Sequence, residues 1–99
     1  MGWDEIKTED YLIRYAEILA KEIIEDKIDS IKASRKIYQI LIDADYPAEL
    51  QAWFEIDEMI WDYEHFLKTG EKNYFYRPKE ELIAEIKKAS DELIESKKN

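Results

Sequence analysis

Two glycines, Gly2 and Gly70, and two prolines, Pro47 and Pro78, are the only residues of their kind in 99. A sheet of many strands needs frequent turns, and glycine and proline supply most of the backbone angles that turns require. So few of either suits a small number of long helices. The apolar residues repeat on a helical period rather than alternating, and Val is absent. The sequence therefore predicts an all-α protein, a single bundle-like domain over 1–99 with four helices, or five if the third is divided. At this length one core is near the size that folds unaided, and 45% apolar residues suffice to fill it.

The first helix is expected from Thr8 or Glu9 to about Asp26, with Tyr11, Leu12, Tyr15, Ala16, Leu19 and Ile23 on one face. Asp10 with Arg14 and Glu17 with Lys21 pair on the other side, acid first, which is the favourable order. Asp29 or Ser30 reads as the N-cap of a second helix that ends near Ala44. Its polar strip, Lys32, Arg35, Lys36, Gln39 and Asp43, is narrow, and an apolar arc of half the circumference puts this helix at the centre.

"YPAE" restarts the chain with Pro47 near the first turn, where a missing N–H costs nothing. The inward stripe of the third helix is then Ile56, Met59, Ile60, Tyr63, Phe66 and Leu67. Leu50 and Phe54 fall off that stripe, which predicts a break near Glu55 with a short helix before it. Gly70 closes the third helix and Pro78 opens a fourth, facing inward with Leu82, Ile83, Ile86, Ala89, Leu93 and Ile94. The expected core holds Leu19, Ile23, Ile37, Ile40, Leu41, Ile60, Tyr63, Ile86 and Leu93.

With glycine only at positions 2 and 70 there is no phosphate-cradling loop and no dinucleotide fingerprint. No cysteine and one histidine, His65, leave no thiolate zinc site, no cysteine nucleophile and no triad in an elbow motif. A pair of carboxylates is the one hydrolytic arrangement that 24 acids leave open. The expectation is a protein that is not an enzyme and carries no cofactor. "DYEH", Asp62 to His65, is similar to the acid-x-x-His pairs of di-iron helical bundles, but one histidine cannot complete such a set, so no metal is expected in a monomer. Lys32, Arg35 and Lys36 are a small basic footprint in a chain of pI ≈ 4.6, which argues against nucleic acid. No apolar run approaches the ~18 residues of a membrane span, and "MGWDEIKTED" is acidic where a signal peptide is basic and then apolar. The cytoplasm is the expected compartment, in keeping with the absence of cysteine.

Charge is unevenly distributed. Residues 37–67 hold eight acids and no lysine or arginine, so this third of the chain carries nearly all of the net charge of −9. A block of one sign creates a field that attracts a basic partner. Within it, Trp61 lies opposite the inward stripe among Asp57, Glu58, Asp62 and His65. Tryptophan in such surroundings is either an interface anchor or a ring that packs locally, here on the short preceding helix or on "NYFY". Of Tyr74, Phe75 and Tyr76, some are expected to cover the core and one to stay outside.

Ala20 to Leu50, "AKEIIEDKIDSIKASRKIYQILIDADYPAEL", resembles a pattern of small helical bacterial proteins: amphipathic helix, "D-x-I-D" turn, second helix, "P-x-E-L" restart. That resemblance implies a fold and no activity. In size, acidity, helix number and the segment "YFYRPKE" before the last helix, the chain also resembles the bacteriocin immunity proteins, acidic four-helix inhibitors of basic nuclease toxins. In that family the contacting acids lie mainly on the second helix, whereas here they fall on the third. The resemblance implies a basic protein partner, such as a toxin or nuclease; excess like charge, which opposes self-association, favours a monomer over a homodimer.

The sequence thus predicts a protein-binding domain of immunity or antitoxin type that uses Asp57, Glu58, Trp61, Asp62 and His65. The alternative is a homo-oligomeric structural or metal-binding helical protein in which the same face meets a symmetry copy, against the repulsion of like charges.

Overall fold

Residues 8–98 are described by the structure, a computed structural model; residues 1–7, and with them most of the acidic opening segment, lie outside it. The described chain is all-α. Four helices follow one another: α1 (Thr8–Ile24), α2 (Ser30–Asp43), α3 (Ala52–Thr69) and α4 (Lys79–Lys98), with a 3-10 turn at Ala48–Leu50 ahead of α3. Helix α1 packs on α2 and α4, and α3 packs on the same two, so α1 and α3 face each other across the diagonal while α2 and α4 meet through the centre. The central position expected of α2 is observed.

Asp29 caps α2 by accepting from the backbone N–H groups of Ile31 and Lys32 at 2.9 and 3.0 Å. Helix ends are made in two ways. At α3 the stop is Gly70, in the left-handed conformation at φ 79°, whose N–H donates to the Phe66 carbonyl. At α1 and α2 the left-handed residue is an aspartate: Asp26 at φ 58° and Asp45 at φ 63°. Each is locked by a paired set of backbone bonds, Lys27 N–H to Glu22 and Asp26 N–H to Ile23 in one case, Tyr46 N–H to Leu41 and Asp45 N–H to Ile42 in the other. Asp26 also accepts from the Lys87 ammonium at 2.7 Å, which ties the α1–α2 corner to α4.

Leu19, Ile23, Ile37, Ile40, Leu41, Ile60, Ile86 and Leu93 are buried together as expected, and Tyr63 packs on them half-buried. Three expectations are corrected. On α1 the buried stripe is Ile13, Ala16, Leu19, Ala20 and Ile23, and Tyr11 and Tyr15 lie outside, with Tyr11 72% exposed. Ala16 and Ala20 are fully buried, so the side of α1 that packs on α2 and α4 is the one with the small residues, and the bulky rings are left out. In α3 there is no break at Glu55. Trp53, 1% exposed, begins an unbroken stripe with Ile56, Met59, Ile60 and Tyr63, while Phe54 turns outward. Only Leu50 needs a change of phase, and the 3-10 turn before α3 provides it. Leu67 is 63% exposed rather than inward, because the last turn of α3 is covered by Phe66 against Tyr76, ring centroids 4.7 Å apart.

Candidate functional site

The outward face of α3 is set by what its inward face must bury. With Trp53, Ile56, Ile60 and Tyr63 turned to α2 and α4, the helical repeat leaves Phe54, Glu58 and Trp61 on the outside, with Asp57 and His65 half-buried beside them. Trp61 is 67% exposed, and among the described residues no other ring packs on it. Phe54 lies two turns ahead of it at 46% exposure, and Asp57 and Glu58 occupy the turn between the two rings.

The five residues singled out in the sequence do not all share one role. Asp57, Glu58 and Trp61 are one surface. Asp62, at the edge of the face, is half-buried and accepts from the Phe75 backbone N–H at 2.8 Å, so it clamps the segment between α3 and α4. That segment divides its aromatics as expected: Phe75 packs on the core, Tyr76 lies against Phe66, and Tyr74 is left 89% exposed. His65 Nε2 lies 3.5 Å from Glu71 on the far edge. Asp62 and His65 are therefore drawn to different partners, and among the described residues no group of three or more histidine or carboxylate side chains comes together as a metal site.

On the side toward α2 the acids meet the basic strip. Arg35 forms a hydrogen-bonded ion pair with Glu64. Burial holds the Asp57 carboxyl above its ordinary range; Arg35 opposes that rise, and the charges of Glu58 and Glu64 add to it. Among the described residues neither Asp57 nor Glu58 forms an ion pair.

The sequence reading missed three residues that join this face. Tyr38 of α2 and Tyr46 of the α2–α3 connection flank Phe54, with ring centroids 6.3 and 6.5 Å from it. Phe54 was within reach of the helical repeat, being seven positions ahead of Trp61. Tyr46 was not. It stands at φ 58°, next to Asp45 at φ 63°, and two left-handed residues in succession are not signalled by their side-chain types. The Gln51 side-chain amide donates to the Tyr46 carbonyl at 2.8 Å and holds the connection in place. Burial raises the Tyr38 hydroxyl above its ordinary pKa, with Asp57, Tyr46 and Glu58 adding to the rise.

Among the described residues no helix is long and apolar enough to cross a membrane. Comparisons of the chain with protein families, with curated proteins and with solved structures find no match, and the functional reading rests on this face alone.

Proposed function

We propose that the protein binds a basic protein partner through the outer face of α3, with an immunity or antitoxin type of inhibition as the most concrete form. The observation that carries this reading is Trp61, 67% exposed beside two carboxylates that form no ion pair among the described residues. A large ring kept in water is a loss of apolar burial that a partner surface recovers, and tryptophan is enriched among the residues that dominate binding energy. The carboxylates attract a basic surface at long range, and a nuclease cleft built for phosphates is such a surface.

The test begins with a photo-reactive phenylalanine analogue in place of exposed Lys68, on the same face and clear of the acids. Irradiation in the cells from which the gene comes should attach a basic protein, and Trp61→Ala should abolish the attachment. The partner is then purified. Asp57→Asn with Glu58→Gln should slow association and flatten its salt dependence, whereas Trp61→Ala should speed dissociation by about 2 kcal/mol or more. If the partner is a nuclease, addition of the protein should stop cleavage. Attachment of a second copy, of no protein, or of one indifferent to Trp61→Ala overturns the reading.

A further inference from the structure

Phe54 is the centre of an arrangement that the protein's own packing does not use up. On α3 it is followed at three and four positions by Asp57 and Glu58, which places both carboxylates one turn away on the same face. On its other sides stand Tyr38 and Tyr46, with rings inclined at 62° and 51° to its own rather than stacked. Phe54 and Tyr46 remain 46% and 49% exposed. Ring faces carry negative potential, and two carboxylates that form no ion pair among the described residues add to it.

We propose that Tyr38, Tyr46 and Phe54 with Asp57 and Glu58 form a receptor for an arginine side chain presented by the basic partner. The inference deepens the proposed function and rests on it. A guanidinium is planar and weakly hydrated, so it lies flat on an aromatic face and still directs N–H groups at carboxylates beside the ring. An ammonium ion is more strongly hydrated and cannot make the forked contact. The complementarity is one of charge as well as shape: Arg35, the base that acts on Asp57, is already paired to Glu64, and residues 37–67 contain no lysine or arginine.

The side chain can be tested without the partner. N-acetyl-arginine methylamide, the lysine equivalent and the neutral citrulline equivalent are titrated into the full chain, and the ring signals of Tyr38, Tyr46, Phe54 and Trp61 are followed by NMR. The arginine compound should shift the first three, more strongly than lysine, and citrulline should shift none. Phe54→Leu, which keeps an apolar side chain and removes the ring, should weaken the arginine response about tenfold, as should Asp57→Asn with Glu58→Gln. Circular dichroism checks that the fold is retained, and Tyr11→Ala, at an exposed ring on α1, should leave the response intact. Equal response to lysine, absence of response, or an unchanged response in Phe54→Leu overturns the site. Shifts of the Phe54 ring with protein concentration alone assign the surface to a second copy, which also overturns it. The two readings fail separately. Arginine binding with no cross-linked partner ends the proposed function, and a Trp61-dependent partner with no arginine response ends this site.

Discussion

Asp57 and Asp62 lie five positions apart on one helix, and their carboxylates meet different surroundings. Asp62 has a backbone N–H aimed at its carboxylate. Asp57 loses water without gaining an ion pair among the described residues, and its carboxyl is held above the ordinary range chiefly by burial. A carboxyl whose folded pKa exceeds its unfolded pKa prefers the protonated form in the folded state. Its ionised form therefore destabilises the fold at all pH values above the folded pKa, and this penalty disappears as pH falls to the unfolded pKa. Asp57→Asn should accordingly raise stability in urea unfolding at neutral pH, and its advantage over the parent should shrink as pH falls through the carboxylate range. A variant less stable than the parent at neutral pH would mean that attraction to Arg35 outweighs burial.

The elements divide by how their ends and faces are encoded. The start of α2 was legible because Asp29 caps through a side chain whose type announces it. The stops at Asp26 and Asp45 were less so, since both use the left-handed conformation without the glycine that marks it at Gly70. Helix α3 shows both outcomes. Its period separated Trp61, Asp57 and Glu58 from the core correctly, because that depends on the helix alone. The engagement of Asp62 depends on where residues 74–76 fold back, and the arrival of Tyr38 and Tyr46 beside Phe54 depends on α2; neither is a property of the α3 sequence. For the same reason α1 could be recognised as a helix while its buried side was misjudged, since Tyr11 and Tyr15 satisfy the period as well as Ile13 and Ala20 do. The Asp62 clamp has a measurable consequence. Asp62→Ala removes a hydrogen bond to a charged group, worth about 1.5 to 3 kcal/mol. Amide exchange at Phe75 should accelerate while the centres of α1 and α2 keep their protection. Unchanged exchange at Phe75 would show that the packing of Phe75 and Tyr76 holds the segment without the clamp.

At the scale of the molecule, two apolar surfaces among the described residues point away from each other. Because α1 and α3 lie across the diagonal, the exposed Tyr11, Tyr15 and Ile18 of α1 look out on the side opposite Phe54 and Trp61. Their electrostatics differ. The α3 face is acidic, so a two-fold axis there would bring Asp57 and Glu58 against their own copies, whereas the α1 stripe has Arg14 within it. A net charge of −9 opposes self-association at either place while salt is low. Light scattering at micromolar concentration and physiological ionic strength should therefore give a monomer. At 1 M salt the screening length falls to about 3 Å and that repulsion is lost. Association that appears only then should be abolished by Ile18→Glu and unaffected by Trp61→Ala. A dimer at physiological salt that Trp61→Ala dissolves would assign the α3 face to a second copy of the chain, and the foreign basic partner would have no surface left to occupy.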